Sequence, residues 1–533
     1  IMKILINKIF ISSLTIACMA CTGNYIDINS NPYQPNDLTA DDYALGAAMN
    51  NLAGCVVSAD VNTAQFTDCL LGGPAGGYFA DSNSGWANTI SMYNAKDDWT
   101  RVFLKSDRII PILYTNLNTV NRISTSTNNS VAMAVAQIIK VAAMHRITDT
   151  YGSIPYSKIG EDGSITTPYD IQKDVYYSFF DELDAAIQTL LKNKTISLSP
   201  SADYVYGGDL SKWIKFANSL KLRLAIRIAN VDKDKAEEET QKAVDPKNGG
   251  LIETNQDNAK WDYFKTNPNP LYTATRYNQP EGCETGGDTH AAADIILYMN
   301  GYNDPRREKY FVKSEFSGQD YVGLRRGIIV PASSITRQYS GVNLKPTDPI
   351  YWMNAAEVNF LRAEGKAVYG FNTGDKQAKE YYEEGIRCSF EQWKAEGIDT
   401  YLNISDAYIG YYSDPGVPEN SYYMKLTDIA VKWNEGASPE EKQERIIIQK
   451  WIANWILGNE AWADYRRTGF PKLIPASPNG NKSNGIVNSL KGARRMPYPQ
   501  DEYISNKHNV ENAVISLEGS DNMGTDVWWA KSK

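Results

Sequence analysis

The feature of the sequence that most constrains the fold is a 3.6-residue apolar period, which returns in several long segments. Apolar residues at this spacing form one stripe along a helix, so each segment predicts an amphipathic helix that needs a packing partner. Together the segments predict a mostly α-helical fold. They cover residues 131–148, 175–192, 212–230, 355–368, 378–396 and 444–459.

Two of these segments, 355–368 and 378–396, are joined by a short connection that contains glycines. Small side chains recur where the two helices would pack closely, which is how a tetratricopeptide-type helix hairpin is built. We therefore expect a tetratricopeptide-like scaffold of helix pairs, although no strict repeat is visible. The small residues are Ala363, Ala367, Ala378 and Gly385.

Long stretches rich in Asn, Gly, Tyr and Pro separate the periodic segments, notably 71–94 and 261–287. Long loops on a regular scaffold usually carry function. No Pro/Gly/Ser tract or block of like charge marks a linker, so we expect one domain over residues 21–533.

The first twenty residues have the pattern of a lipoprotein signal peptide. Lys3 and Lys8 begin an apolar stretch that is too short to span a bilayer and that ends at the small residue Ala20. We expect cleavage before Cys21, whose thiol would carry the lipid anchor. Cys18 is the competing position. No later apolar run reaches eighteen residues, so we expect the rest of the chain to lie in water beside the membrane.

Charge excludes some classes of partner. The chain carries 54 basic and 63 acidic residues, and loss of residues 1–20 leaves 52 basic residues and a net charge of −11. An acidic body argues against nucleic acid as a partner and against electrostatic capture of acidic glycans, although a local basic patch would override the net figure. Cys55 and Cys69 could form a disulfide in an oxidising compartment, and this stays open; their spacing fits no zinc pattern.

The sequence also resembles a known family through ten motifs in order. They are TGNYIDINSNPYQP after Cys21, HRITDTYGSIPYS at 145–157, PYDIQKDVYYSFFDELDAAI at 168–187, GGDLSKWIKFANSLKLRLAIRI at 207–228, YNDPRREKYF at 302–311, AAEVNFLRAEG at 355–365, YYEEGI at 381–386, IIIQKWIANWILGNEAWADYRRTGFPKL at 446–473, RRMPYPQDEY at 494–503 and DNMGTDVWWAK at 521–531. With these motifs the chain resembles the SusD/RagB nutrient-binding outer-membrane lipoproteins.

The resemblance implies a mostly helical fold with tetratricopeptide-like helix pairs and elaborated loops. It implies no catalysis. It further implies a lipid-anchored protein at the cell exterior, which closes as a lid over a TonB-dependent transporter barrel and delivers an oligosaccharide to it. Three alternatives stay open: the same role with oligopeptides, an assembly scaffold that binds no ligand, and a glycoside hydrolase.

Loop aromatics are the candidate ligand-binding residues, because flat rings can cover the apolar face of a sugar while polar groups at the rim bind hydroxyls. Trp86 lies among polar and flexible residues, with Tyr78 upstream. The stretch around two Asn-Pro turns adds Tyr263, Tyr272, Arg276 and Tyr277. Most other tryptophans, including Trp99, lie in helical segments or family motifs and are expected to pack in the core.

Metal and enzyme chemistry have little support in the sequence. His145 has helical spacing to apolar neighbours, and His290 and His508 have no companions at ligand spacing, so we expect no transition-metal site. A structural calcium ion on loop carboxylates such as Asp81 stays open. The sequence contains no nucleophile elbow, HExxH motif or P-loop. We therefore expect no cofactor and no catalytic residues.

Overall fold

The computed structural model describes residues 40–105, 108–160, 166–196 and 198–531. Contacts between Cα atoms divide the chain into a unit over Ile1–Leu45 and a second unit over Gly46–Lys533. Of the first unit, the structure describes residues 40–45, where a helix begins. The predicted signal peptide and Cys21 lie outside the described residues.

Helices make up about half of the described chain and the strands are few and short, which confirms the predicted fold class. The α-helices are Ala40–Ala53, Val61–Ala64, Gly73–Ala75, Asp98–Arg101, Ile110–Thr127, Ser130–Tyr151, Gln172–Lys192, Leu210–Ile228, Lys233–Val244, Pro270–Ala274, Ala293–Gly301, Arg307–Tyr310, Ser333–Thr336, Ala355–Glu364, Ala378–Trp393, Ile398–Leu402, Pro439–Ala453, Gly458–Thr468, Gln500–Ser505 and Lys507–Ser516. Short π-helices cover Gln65–Gly72 and Gly365–Tyr369, and 3₁₀ turns cover Pro200–Ala202, Pro246–Asn248, Asn255–Asp257, Pro418–Asn420 and Trp528–Ala530.

The helices pack in consecutive pairs. Ile110–Thr127 packs on Ser130–Tyr151, Leu210–Ile228 on Lys233–Val244, and Ala355–Glu364 on Ala378–Trp393. In the last pair, Gly385 lets the helices approach closely, because a Cβ atom there would lie 2.8 Å from the ring of Phe360. The tetratricopeptide-like hairpin predicted from the small residues is therefore confirmed.

One predicted helix is wrong over its C-terminal part. The segment 444–459 belongs to the helix Pro439–Ala453, and a separate helix, Gly458–Thr468, follows. The chain turns between them because the backbone at Gly458 lies against Gly72, where an added Cβ would come within 2.4 Å of the Gly72 carbonyl carbon. The helix does not continue through Ile456, whose φ of 82° lies outside the helical region.

Short antiparallel strands connect the loops that the sequence left without regular structure. Strand β1 (Phe79–Asp81) pairs with β5 (Thr289–Ala291), with Asp81 opposite Thr289. The other pairs are β2 (Ile154–Pro155) with β3 (Tyr169–Asp170), β4 (Ala259–Trp261) with β8 (Ile350–Met353), and β6 (Phe311–Val312) with β7 (Gly341–Val342). Pairing of β1 with β5 brings the loop after residue 81 next to the chain before residue 289.

A buried ion-pair network joins the helices. Arg227 contacts Asp149 and Glu460, each at 2.5 Å, and Arg467 contacts Glu364 at 2.5 Å. Glu460 and Arg467 are thus both paired within the scaffold. Arg466, in contrast, makes a cation–π contact with Trp462, with its guanidinium carbon 3.6 Å from the ring centroid.

One described helix, Ser130–Tyr151, is long and apolar enough to cross a membrane by length and composition alone. Its most apolar window is 83% buried inside the protein. Burial of this kind is typical of a core helix.

Candidate functional site

Three partly exposed aromatic rings form a row that we call the aromatic cluster: Phe66, Trp99 and Trp86. The ring centroids of Phe66 and Trp99 are 5.4 Å apart, and those of Trp99 and Trp86 are 5.2 Å apart. Both contacts are edge-to-face, which is a favoured arrangement for aromatic pairs. Each of the three residues is partly exposed, so the cluster lies at the surface beside polar loops.

The loop that carries Trp86 is fixed by Asn83. The Asn83 side-chain oxygen accepts the backbone N–H of Gly85 at 2.9 Å, and the backbone N–H of Trp86 donates to the Asn83 carbonyl at 3.4 Å. This turn is stabilised by the side chain of its first residue, so the loop has a defined conformation although it contains no helix or strand.

Asp288 joins the Trp86 loop to the second predicted loop. Its two carboxylate oxygens accept hydrogen bonds from the side-chain amides of Asn83, at 3.0 Å, and Asn278, at 2.8 Å. Its backbone N–H donates to the Tyr277 carbonyl at 2.8 Å. Burial raises the pKa of the Asp288 carboxyl, although the two amides act in the opposite direction.

The helix Pro270–Ala274 and the turn after it supply a cation beside an aromatic ring. The guanidinium carbon of Arg276 lies 4.3 Å from the centroid of the Tyr272 ring. Arg276 also donates to the backbone carbonyls of Val342, at 3.4 Å, and Leu344, at 3.2 Å. Tyr272, Arg276 and Tyr277 are all partly exposed, as expected for residues at the rim of a binding surface.

Two of the predicted site residues are buried. Tyr78 is fully buried and donates its hydroxyl to the Trp451 carbonyl at 2.5 Å. Tyr263 is 6% exposed, and its ring lies parallel to that of Trp261 with centroids 6.3 Å apart. Both side chains are engaged in packing, so we leave them out of the site proposed below.

Asp81 is the last residue of β1 and immediately precedes the loop that carries Trp86. It is 3% exposed, and the Ser91 hydroxyl donates to one of its carboxylate oxygens. Its other oxygen has no hydrogen-bond partner among the described residues. Burial raises the pKa of Asp81 to about 7, with the nearby Asp288 carboxyl adding to the effect. A calcium ion at Asp81 stays an untested expectation.

The histidines and cysteines of the described chain form neither a disulfide nor a cluster that could bind a metal ion. Nδ1 of His145 lies 3.1 Å from the Val141 carbonyl, and burial lowers the pKa of His145 to about 3 and that of His290 to about 4. Cys55 and Cys69 are buried and form no disulfide. Within the described ranges, no group of three or more His, Cys, Asp or Glu side chains is placed to hold a metal ion.

Sequence reasoning missed several residues of the site. Trp99 was expected in the core, yet it stands in the middle of the aromatic cluster and is partly exposed. The exposed charged residues Lys96 and Asp97, immediately before the short helix that carries Trp99, are a signal that this segment lies at the surface. Phe66 and Asp288 had no comparable signal, because the π-helix Gln65–Gly72 and the packing between loops arise from tertiary structure.

The fold and this surface define a class of protein: a scaffold of helix pairs whose loops present an aromatic, amide-lined surface for binding. The sequence matches the family model of SusD-like proteins, described as SusD and RagB outer membrane lipoproteins, over residues 27–530. The chain thus belongs to the SusD/RagB family of outer-membrane lipoproteins. The search of curated proteins finds no match.

Solved structures agree with this assignment. A SusD homologue from Bacteroides uniformis is 63% identical, with a TM-score of 0.88, and the match covers 92% of this chain and 99% of that chain. A SusD homologue from Bacteroides thetaiotaomicron is 38% identical, and a chitin-binding SusD homologue from Flavobacterium johnsoniae is 34% identical. Both have a TM-score of 0.82 and cover 92% of this chain and 99% of their own.

Proposed function

We propose that this protein captures an oligosaccharide on its aromatic cluster and delivers it to a TonB-dependent outer-membrane transporter. The observation that carries the proposal is the row formed by Phe66, Trp99 and Trp86, whose rings are packed on one another and still partly exposed. Flat rings of this kind cover the apolar faces of sugars, while neighbouring polar groups bind the hydroxyls.

The rim of the surface fits the same ligand class. Asn83 and Asn278 both donate to Asp288, and Arg276 lies over Tyr272. The loop that carries Trp86 and the loop joined to it therefore supply amide, carboxylate and guanidinium groups. The chitin-binding relative, 34% identical over almost its whole length, adds support for a saccharide. We therefore prefer an oligosaccharide to an oligopeptide.

Membership of a lipoprotein family supports an anchor at Cys21, on the outer membrane and facing the cell exterior. Two or more acyl chains suffice for stable attachment. In this position the protein would present captured sugar to a transporter barrel beside it. Binding without turnover is part of the proposal, and bound oligosaccharide should be recovered uncleaved.

The experiment is a calorimetric screen of the full, detergent-solubilised protein against chitin, host and plant oligosaccharides and against a peptide digest. We expect at least one oligosaccharide class to bind and to be recovered intact. Binding of digest peptides with no oligosaccharide binding would contradict the saccharide proposal. Release of shorter sugars from the bound oligomer would contradict the non-catalytic role.

A further inference from the structure

A second concave site is lined by other residues than the three rings of the aromatic cluster. It is a cavity of about 420 Å³, within the size range of small-molecule sites. Its wall is formed mainly by the chain around residues 343–351, by the end of the helix Ala378–Trp393 and by the turn at 455–457, with Asp68 and Leu271 among the further lining residues. None of the residues of the aromatic cluster lines it.

Aromatic side chains form part of the cavity wall. Tyr351 and Trp393 are both partly exposed and line the cavity. Trp393 is held by an edge-to-face contact with Tyr310 at 4.7 Å between ring centroids. The indole N–H of Trp393 has no hydrogen-bond partner in the part of the chain that the structure describes. Buried donors are nearly always hydrogen-bonded, so a ligand in the cavity that accepts from this indole N–H would satisfy it.

The charges at the cavity are mainly positive. Lys309, Lys345 and Lys394 line it. Lys309 is paired with Glu308 at 2.7 Å, whereas Lys345 donates to the neutral side chain of Asn343 at 2.8 Å. Among the described residues, neither Lys345 nor Lys394 forms an ion pair with a carboxylate. In a chain of net charge −9, these two ammonium groups make a local basic patch.

The acidic residues of the wall do not cancel this patch. Asp68 is already paired with Arg146 at 2.5 Å. Asp348 is the remaining carboxylate, and it accepts the backbone N–H of Lys345 at 2.8 Å. A ligand that enters the cavity therefore meets two cationic side chains against one carboxylate that is partly satisfied by the backbone.

The backbone at the cavity is strained. Ile456, which lines it, has φ of 82°, a conformation that is an outlier for a β-branched residue. The preceding Trp455 is fixed by ring contacts with Tyr78, Tyr310 and Phe311. Strain held in place by surrounding packing clusters at ligand sites.

We propose that this cavity is a second sugar-binding site, for a small saccharide that carries a carboxylate or a sulfate group. The sugar ring would pack against Tyr351 and Trp393, and its anionic group would bind the ammonium groups of Lys345 and Lys394. The site is independent of oligosaccharide capture by the aromatic cluster, because the two share no residue of the proposed contacts.

The test compares acidic sugars with their neutral counterparts in calorimetry on the full, detergent-solubilised protein. The pairs are digalacturonic acid with galactobiose, and N-acetylglucosamine 6-sulfate with N-acetylglucosamine. We expect at least one acidic member to bind tenfold or more tightly than its neutral counterpart, with affinity falling as salt is added. A preference for one pair identifies whether a carboxylate or a sulfate is the natural group.

Variants assign the binding to the cavity. Lys345→Gln with Lys394→Gln should remove the preference for the acidic sugar, Lys345→Arg with Lys394→Arg should retain most of it, and Lys507→Gln on an exposed helix is the matched control. Trp86→Ala should leave acidic-sugar binding unchanged, which separates this site from the aromatic cluster.

Equal binding of acidic and neutral sugars by the wild-type protein, or no binding of either acidic sugar, would overturn the proposal. So would an unchanged preference in the glutamine variant. If that double variant does not fold, Lys345→Gln and Lys394→Gln made singly replace it, and an unchanged preference in both would overturn the proposal.

Discussion

Asp288 is the residue that couples the two loops of the aromatic surface. One side chain accepts hydrogen bonds from Asn83 and Asn278, and its backbone bonds to Tyr277 and to Ser82. A short asparagine or glycine segment would otherwise sample many conformations, and fixing it in advance lowers the entropy cost of binding. The position of Trp86 thus depends on a residue far from it in the sequence.

The raised pKa of Asp81 predicts how the stability of the folded protein changes with pH. Its pKa in the folded protein is about 7, above the ordinary value of 3.8, so the folded state binds this proton more tightly than the unfolded state. Its contribution to stability is therefore full below about pH 4 and is lost as pH rises through about 7. Relative to Asp81→Asn, the wild-type protein should lose roughly 2 to 4 kcal/mol between pH 4 and pH 8.

Denaturant unfolding of both proteins at the two pH values measures this difference. Asp320→Asn, at a side chain that is 67% exposed, is the matched control. The asparagine at position 81 can still accept from Ser91, so it keeps the existing hydrogen bond. A pH-independent difference, or one of equal size in the control, would contradict the assignment to Asp81.

At the scale of single residues, the sequence predicted the exposure of part of the candidate site. Trp86 could be identified because its neighbours are too polar to form a core, and Arg276 and Tyr272 because they follow Asn-Pro turns. Tyr78 and Tyr263 also lie in loop-like stretches of the sequence, yet they are buried at 0% and 6% exposure. The difference comes from contacts with Trp451 and Trp261, which no local pattern indicates.

At the scale of helices and strands, periodicity predicted most of the scaffold. The predicted segment 175–192 lies within Gln172–Lys192, and 212–230 overlaps Leu210–Ile228. The failure at 444–459 has a tertiary cause, the contact between Gly458 and Gly72. The four short sheets were not predicted, because strands of two to four residues are too short to show an alternating pattern.

Gly385 tests the close packing of a helix pair. Gly385→Ala places a methyl group 2.8 Å from the Phe360 ring, so we expect a loss of about 1 to 3 kcal/mol of unfolding free energy. The matched control is Gly46→Ala, also within a helix, where the nearest atoms lie at 3.6 Å. There the better helix propensity of alanine should stabilise by about 0.5 to 1 kcal/mol.

Thermal or denaturant unfolding of the two alanine variants gives the sign of each effect. Opposite signs are expected, because helix propensity is common to both and only the contact with Phe360 differs. Stabilisation by Gly385→Ala would mean that the helices do not pack as closely as described.

At the scale of the whole molecule, charge is distributed unevenly. Buried carboxylates such as Glu460 and Glu364 are matched by Arg227 and Arg467 within the scaffold. Breaking one such pair would cost about 3 to 5 kcal/mol, because it leaves an uncompensated buried charge. The cavity with Lys345 and Lys394 is a local exception to the acidic character of the chain, and net charge alone could not have indicated it.

The proposed anchor makes a prediction for the intact cell. Cys21→Ala should leave a protein that is not acylated and that no longer sediments with membranes. Fractionation and metabolic labelling with a fatty acid measure both properties, and Cys18→Ala is the matched control. Continued acylation of Cys21→Ala would contradict the assignment of the anchor to Cys21 and would favour Cys18.

The aromatic cluster is the proposed oligosaccharide-binding surface, and mutation of Trp86 tests it directly. Loss of a ligand-facing aromatic ring typically weakens binding by about 1 to 3 kcal/mol. A core tryptophan differs, because Trp→Ala there costs about 3 to 5 kcal/mol of stability. Trp462, which is 1% exposed, supplies the comparison for stability, and Tyr423, an exposed ring outside the cluster, supplies it for binding.

The most direct measurement is the affinity of Trp86→Ala for the oligosaccharide that binds best to the wild-type protein, taken together with its melting temperature. We expect Trp86→Ala to lose about tenfold or more in affinity and to melt within a few degrees of wild type. Tyr423→Ala should bind with normal affinity. A Trp86→Ala protein that melts far below wild type, as expected for Trp462→Ala, and binds normally once folded would contradict the assignment of Trp86 to the binding surface.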